Sequence, residues 1–302
     1  MPLGRQAPED KKKETNMPRV RAGDTSINYV EHGSGDNVVL AVHGNLGCAD
    51  WLGLVLPQLP STIRVIAAEW RGCGDSDKPE PASDYANYSM PTHAQDMRNL
   101  LDALGIRKCH LYGHSTGGII CSHMLVKQPE RFGKVLMLDP VTPLGLALAA
   151  GQIDVLTQMK TDRATCFAGM ASAAPTLFRP ETLAAGQPQY ADTTSPEQRA
   201  LFERIIERTT VLSDGIWYGT PHVLAQEWDS KALAAQMPAM THEHLLLCGK
   251  LDYWVPREHF EEMARGLPRI SLEVFPFIGH SMNLEAPSLF ARIFADYFSS
   301  TG

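Results

Sequence analysis

The chain has 302 residues, of which 44% are hydrophobic and 20% charged, so it can build a large core and lacks the composition of a disordered protein. The formal net charge of −7 disfavours nucleic acid as a partner, because phosphate binding needs a concentrated basic surface. No apolar run is long enough to span a membrane, and the six cysteines stand singly without a C-x-x-C pair, which disfavours a metal site or a disulfide framework. We therefore expect a cytoplasmic protein, and the sequence leaves its oligomeric state open.

The chain begins with a polar segment and then turns to alternating strands and helices. Residues 1–17 contain three lysines but no apolar stretch, and are expected to be a disordered extension. From residue 37 onward, short β-rich runs alternate with amphipathic stretches, which is typical of βαβ units. Asn37–Val42 and 64–68 are predicted as buried strands ending in glycine-rich turns. The pattern predicts an α/β fold with a mostly parallel sheet and helices on both faces.

Two helices and two strands follow in alternation. The predicted elements are a helix over 92–104, a strand over 109–112, a helix over 118–127 and a strand over 135–138. Ser115 lies in the sharp turn between the strand over 109–112 and the helix over 118–127.

The alternation then stops for roughly one hundred residues. Residues 142–234 hold Ala-, Gly- and Pro-containing stretches and a few helices, the clearest beginning at the capping-box pattern of Ser195 and Gln198. We predict a helical cap over 142–234, inserted into a core formed by 18–141 and 235–302. Its long loops are tolerable in a lid over a site.

The strand and helix rhythm resumes after the insertion. The predicted elements are a strand over 245–248, a helix from Pro256, a strand over 272–275 and a helix from Pro287. The last helix carries apolar residues at helical spacing and is expected to pack on the sheet.

The turn at 113–117 carries the strongest chemical motif. Gly113 and Gly117 lie two residues either side of Ser115, between an apolar strand and an apolar helix. These glycines permit the strained strand-to-helix turn that exposes a nucleophilic hydroxyl. We therefore predict Ser115 as the nucleophile.

A serine nucleophile needs a base, and His280 is predicted to fill that role. It follows the last predicted strand, in a loop that can reach back over the carboxyl edge of the sheet. His114 is excluded because its side chain should point away from that of its neighbour Ser115, so it is expected to pack or to line the pocket.

Two aspartates compete to orient the base. Asp252 follows a buried strand and lies after the serine and before the histidine, which is the chain order that accompanies a Gly-x-Ser-x-Gly turn of this kind. Asp139 ends the preceding core strand and also satisfies that order. We favour Asp252 and keep Asp139 as the alternative acid, with a capping or turn role as its other explanation.

Backbone N–H groups are expected to stabilise the oxyanion formed by attack of the serine on a carbonyl. Thr116 supplies one such donor. Asn45 is the candidate for the other, with Leu46 just behind it, because this loop ends the first strong strand. His43 is expected to brace the loop.

The sequence resembles the α/β-hydrolase superfamily, in particular its capped esterases, lactonases and haloperoxidases, from about residue 20 to 300. The motifs that carry the resemblance are His43-Gly44-Asn45, residues 71–76, residues 113–118, residues 249–252 and Gly279-His280. The resemblance implies an eight-stranded, mostly parallel sheet, a Ser-His-Asp triad, no cofactor and a cap after the sixth strand.

Differences between this chain and the motifs of related enzyme groups narrow the activities that we expect of it. Haloalkane dehalogenases and epoxide hydrolases resemble this chain elsewhere but carry aspartate where Ser115 stands, so neither activity is expected. The plant hydroxynitrile lyases carry lysine immediately after the histidine, where this chain has Ser281. The triple-glycine oxyanion loop of one esterase and lipase group is absent, because Asn45 and Leu46 stand where further glycines would be. A lyase activity and large triglyceride substrates are therefore disfavoured.

The sequence predicts a serine hydrolase that cleaves an ester, thioester or lactone of a small to medium apolar substrate. Two alternatives stay open: a carbon–carbon bond hydrolase or cofactor-free perhydrolase with the same triad, and a ligand-binding receptor with slow or single turnover. Candidate pocket residues are Leu46, Trp51, His114, Trp217, Tyr218, Trp254 and Met282.

Overall fold

A computed structural model describes residues 18–299, which contain an eight-stranded sheet. The strands are β1 (Arg19–Ala22), β2 (Thr25–His32), β3 (Asn37–Val42), β4 (Ile63–Ala68), β5 (Cys109–His114), β6 (Phe132–Leu138), β7 (His244–Gly249) and β8 (Ile270–Phe275). They lie in the order β1-β2-β4-β3-β5-β6-β7-β8. The β1–β2 and β2–β4 pairs are antiparallel and the other neighbours are parallel, which confirms the mostly parallel sheet.

Ten α-helices connect or cover the strands within the described residues. They are α1 (Met90–Ala103), α2 (Thr116–Lys127), α3 (Gln152–Thr161), α4 (Arg163–Ala171), α5 (Pro180–Ala184), α6 (Pro196–Thr209), α7 (Thr220–Ser230), α8 (Arg257–Gly266), α9 (Met282–Glu285) and α10 (Pro287–Ser299). None of these helices combines the length and apolarity needed to cross a membrane. The predicted extension over 1–17 lies outside the described residues.

Alternation along the central strands builds two apolar layers. In β3, Val39 and Ala41 join one buried cluster, while Leu40 and Val42 join the other. Successive strand side chains point to opposite faces, so both faces of this sheet are buried. Helix α10 covers the layer that contains Val39 and Ala41, and its Phe290 and Phe294 pack there against Tyr112 of β5.

Helices α1, α2 and α8 cover the other layer. Their buried residues, such as Met97, Ile119 and Phe260, belong to the same cluster as Leu40 and Val42. Helices on both faces are therefore confirmed.

Most predicted elements occur, with ends that shift by a few residues. The strand at Asn37–Val42 is as predicted, whereas α1 and α2 each begin two residues earlier than predicted, at Met90 and Thr116. Ser89 caps α1 by accepting a hydrogen bond from the Thr92 N–H, which explains the earlier start. Strands β1 and β2 were not predicted, because their polar and apolar residues give no continuous buried run.

The segment between β6 and β7 contains α3 to α7. The capping box at the start of α6 is confirmed, since Ser195 Oγ accepts from the Gln198 N–H and Gln198 Oε1 accepts from the Ser195 N–H. The exact division between a core and a cap over 142–234 stays a prediction.

Candidate active site

Ser115 lies at the carboxyl edge of the sheet, between the end of β5 and the start of α2. Its backbone has φ 52° and ψ −124°, a conformation that is costly for a residue with a side chain and is found mainly at functional turns. The turn is held because the Ser115 N–H donates to the Leu138 carbonyl at 3.0 Å. A Cβ at Gly117 would collide with the Val42 carbonyl oxygen, so α2 can approach β3 only with glycine there.

The loop after β3 lies directly against this turn. A Cβ added at Gly44 would stand 2.7 Å from the Ser115 Cβ, so the close approach requires glycine. Leu46, two residues on, has φ 54° and turns the loop. Within residues 18–299 the backbone N–H groups of Asn45 and Thr116 make no hydrogen bond. Both residues line the same cavity as Ser115, so their N–H groups stay the candidates for an oxyanion hole.

His280 forms a hydrogen-bonded pair with Asp252. His280 Nδ1 donates to Asp252 Oδ2 at 2.9 Å, and the two side chains are only 5% and 1% exposed. Asp252 Oδ1 accepts a second hydrogen bond, from the Trp254 N–H at 2.7 Å. This arrangement places the His280 proton on Nδ1 and leaves Nε2 as the acceptor, the form that a general base needs.

Ser115 and His280 line the same cavity. In the described part of the chain, Ser115 Oγ makes no hydrogen bond to the His280 ring. Such bonds are often long in ligand-free enzymes and tighten when substrate binds.

Asp139, the alternative acid, lies next to this pair. It is fully buried and follows β6, while Asp252 follows the neighbouring strand β7. One donor atom from each of Asp139, Asp252 and His280 lies within 4.8 Å of the others. These atoms are close enough to share a metal ion, but His280 Nδ1 and Asp252 Oδ2 already bond to each other.

Glu285 holds the loop that carries His280, a role that no sequence motif indicated. Its carboxylate accepts hydrogen bonds from the N–H groups of Gly279 and Ser281, which flank His280, at 2.9 and 3.2 Å. It also accepts two hydrogen bonds from Thr176, one from the N–H and one from the hydroxyl. Burial raises the pKa of Glu285. Because Thr176 is 109 residues away in the chain, no local pattern could reveal this contact.

Buried histidines support the loops around Ser115. His114 Nε2 donates to the His280 carbonyl at 2.9 Å, and burial lowers the pKa of His114 to about 3. His43 stacks on Trp70 with ring centroids 4.8 Å apart, and burial lowers its pKa to about 4. Both rings are therefore neutral at pH 7 and brace the site, as predicted for His43.

The cavity beside Ser115 has a volume of about 120 Å³. Its polar lining consists of Asn45, His114, Ser115, Thr116, Gln152 and His280. The rest of the lining is glycine and apolar residues, including Leu146, Leu156, Met170 and Leu224. No Asp, Glu, Lys or Arg of the described residues lines it.

Four of the seven candidate pocket residues line this cavity, namely Leu46, Trp51, His114 and Trp254. The other three lie elsewhere. Trp217 is 1% exposed and packs in the core, and Tyr218 contacts Lys160, whose Nζ lies 5.1 Å from its ring centre. Met282 is fully buried in the apolar layer under α10. The placement of these three in the pocket is corrected accordingly, because their apolar surface is used in packing.

Comparison with known proteins agrees with this architecture. A family model described as the alpha/beta hydrolase fold matches residues 37–287. A fluoroacetate dehalogenase of Burkholderia sp is 38% identical over 120 residues, a match that spans only 40% of this chain and 39% of the relative. A 2-hydroxy-6-oxo-6-phenylhexa-2,4-dienoate hydrolase of Burkholderia cepacia is 25% identical over 288 residues, 91% of each chain.

A solved structure shows the same fold. An esterase from Exiguobacterium antarcticum superposes with a TM-score of 0.69 at 23% identity, covering 93% of this chain and 99% of the esterase. The matched family model covers most of the chain, including both the Ser115 turn and the His280 loop. The chain therefore belongs to the α/β-hydrolase family of enzymes.

Proposed function

We propose that this enzyme is a serine hydrolase that cleaves a carboxylic ester, thioester or lactone of a small to medium, uncharged substrate. The observation that carries the proposal is the meeting of Ser115 and His280 in one apolar cavity, with His280 Nδ1 bonded to the buried Asp252. This combination supplies a nucleophile, a base with the correct tautomer and a group that orients the base.

The reaction proceeds in two steps. Ser115 Oγ attacks the substrate carbonyl while His280 Nε2 takes the hydroxyl proton, and the N–H groups of Asn45 and Thr116 stabilise the oxyanion. His280 returns the proton to the leaving group, which leaves an acyl-enzyme. Water, deprotonated by His280, then attacks the acyl carbonyl and releases the acid and the free serine. Asp252 keeps the His280 ring oriented throughout.

The cavity lining supports an uncharged substrate. A buried carboxylate without a cationic partner is costly, and the described residues place no Lys or Arg in the lining. Much of the apolar lining, including Leu146, Leu156, Met170 and Leu224, comes from the segment after β6. We propose that this segment, 142–234, acts as the cap and selects the substrate.

Carbon–carbon bond hydrolysis is the second candidate. The relative from Burkholderia cepacia, matched over 91% of both chains, is named as a hydrolase of a dienoate. A dienoate carries a carboxylate, for which this cavity offers no cation. Ester hydrolysis is therefore favoured, and turnover of such a dienoate at a rate above that of neutral esters would reverse the preference.

Dehalogenation is disfavoured on chemical grounds despite the partial match to a fluoroacetate dehalogenase. Attack of Ser115 on a carbon–fluorine bond would form an ether, which water activated by His280 cannot cleave. An aspartate nucleophile would instead form a hydrolysable ester.

We also propose a cytoplasmic location and a small-molecule substrate. All six cysteines are buried and none forms a disulfide, as expected in a reducing compartment.

The test is turnover of p-nitrophenyl esters and lactones of increasing chain length by the wild type and by Ser115→Ala, together with labelling by a fluorophosphonate. Ser115→Ala is expected to lose the label and to lower kcat by roughly 10⁴-fold or more. Ser122→Ala is the matched control, because Ser122 lies on α2 with its hydroxyl bonded to the Gly118 carbonyl. Undiminished labelling of Ser115→Ala would contradict the proposal, and a single burst without further turnover would indicate a binding protein.

A further inference from the structure

The acid side of the site contains two carboxyl groups where the proposed triad needs one. Asp139 and Asp252 follow the adjacent parallel strands β6 and β7, and the Asp139 N–H donates to the Leu247 carbonyl at 2.9 Å. Their carboxyl oxygens and a ring nitrogen of His280 lie within 4.8 Å of one another. The φ of Asp139 is 40°, an uncommon conformation outside glycine that turns the chain at this point.

The two oxygens of Asp139 have different surroundings. Oδ1 accepts a hydrogen bond from the Gly249 N–H at 2.8 Å, whereas Oδ2 is buried with no donor from the described residues. The other titratable groups that face this carboxyl are Asp252, Glu285 and His280, and the weakly acidic Tyr112 and Cys248. No Lys or Arg within residues 18–299 forms an ion pair with Asp139.

Such surroundings determine which carboxyl group holds a proton. Two carboxylates this close cannot both be charged without a large repulsion, so one of them stays protonated. Asp252 has the His280 Nδ1–H and the Trp254 N–H to stabilise a negative charge. Asp139 has one backbone N–H, and burial, reinforced by the neighbouring Asp252, raises the pKa of Asp139 well above its usual range.

We infer that Asp139 is a positioning residue that remains protonated and donates a hydrogen bond from its carboxyl group to the Asp252 carboxylate. This inference rests on the proposed Ser115, His280 and Asp252 triad. Among the described residues, Asp252 accepts hydrogen bonds from the His280 ring and the Trp254 N–H, and a third one from Asp139 would further fix the rotation of that carboxylate against the His280 ring. Asp139 acts on the reaction only through Asp252.

An asparagine can reproduce this arrangement. Its amide oxygen can accept from the Gly249 N–H while its NH₂ group donates to Asp252, so Asp139→Asn preserves both hydrogen bonds and the neutral charge. Alanine removes both. If Asp139 were instead the charged acid of the triad, asparagine would abolish its function.

The kinetic test compares Asp139→Asn, Asp139→Ala and Ser115→Ala on the best ester. Asp139→Asn is expected to keep kcat within roughly threefold of the wild type and to leave the acid limb of the kcat/KM profile in place. Asp139→Ala is expected to lower kcat by roughly tenfold or more with KM within roughly twofold. A loss in Asp139→Asn as large as in Asp139→Ala, or no loss in either, would overturn the inference.

A second measurement does not depend on turnover. It compares the infrared spectrum of Ser115→Ala with that of a double variant that carries both Ser115→Ala and Asp139→Asn, each labelled with ¹³C-aspartate. The difference spectrum at pH 7 is expected to show the C=O stretch of one protonated aspartic acid. Absence of that band would overturn the inference, even where Asp139→Ala fails to fold. Retained turnover in Ser115→Ala would instead contradict the proposed function and leave this spectrum valid.

Discussion

Ser115 and His280 line one cavity, yet the chain holds them in different ways. Ser115 is positioned by backbone: its own positive φ, and glycines such as Gly44 that allow neighbouring segments to approach. His280 is positioned by side chains from distant segments, with Asp252 on its ring and Glu285 on its loop. On the nucleophile side, a single added methyl group should therefore be enough to lower activity strongly. On the base side, the loss should depend on which contact is removed and should be largest for the Asp252 contact to the ring.

The largest effect on the base side is expected from Asp252→Asn. The amide NH₂ of asparagine would face His280 Nδ1 and favour the wrong tautomer, so kcat should fall by roughly 10³- to 10⁴-fold. Steady-state ester hydrolysis measures this, with Tm as the control for folding. A loss below tenfold would mean that another group orients the base.

Gly44→Ala tests the nucleophile side. The new Cβ would press on Ser115, displacing it from the N–H donors of Asn45 and Thr116, so kcat should fall by roughly 100-fold. The rate of fluorophosphonate labelling should fall in parallel. Activity near that of the wild type would show that the close approach of this loop to Ser115 has no catalytic role.

Glu285→Gln tests the graded response of the base side. One amide oxygen replaces a carboxylate that accepts four hydrogen bonds, so the loop should loosen and kcat should fall by roughly tenfold. Thr176→Val, which removes only the hydroxyl bond, is the matched control and should cost less. A larger loss in Thr176→Val would contradict this account of the loop.

The last prediction concerns the stability of the fold and is expected to have the smallest effect on turnover at neutral pH. Burial lowers the pKa of His43 to about 4 and of His93 and His114 to about 3. The stability that these neutral rings contribute is complete above the unfolded pKa of 6.5 and is lost as the pH falls toward 3 to 4. By proton linkage, each ring should make the free energy of unfolding about 2 kcal/mol lower at pH 5 than at pH 7. Urea unfolding at pH 7 and pH 5 measures this, and a flat profile would contradict it.

The same contrast explains what the sequence could predict. The Ser115 turn lies within five residues between a strand and a helix, so its local pattern sufficed. Glu285 looks like an ordinary surface residue, because its partner Thr176 is far away in the chain. Strands β1 and β2 were missed since their burial depends on tertiary partners, such as the hydrogen bond from Asn28 Nδ2 to Glu69 Oε2.

Pocket residues were the least predictable part of the site. Trp51 and Trp217 are both buried aromatic residues, yet only Trp51 lines the cavity. The residue type shows that a side chain is apolar. Whether that side chain packs in the core or lines the cavity depends on where the helices lie.

The capping box of α6 has a consequence for substrate exchange. Gln198, besides capping its own helix, donates from Nε2 to the carbonyls of Leu284 and Glu285 at 2.9 and 3.2 Å. Any outward swing of the start of α6 must break these bonds to the segment that follows His280. Movement of this helix would therefore loosen the segment just after His280, so the position of α6 and the order of the base loop are linked.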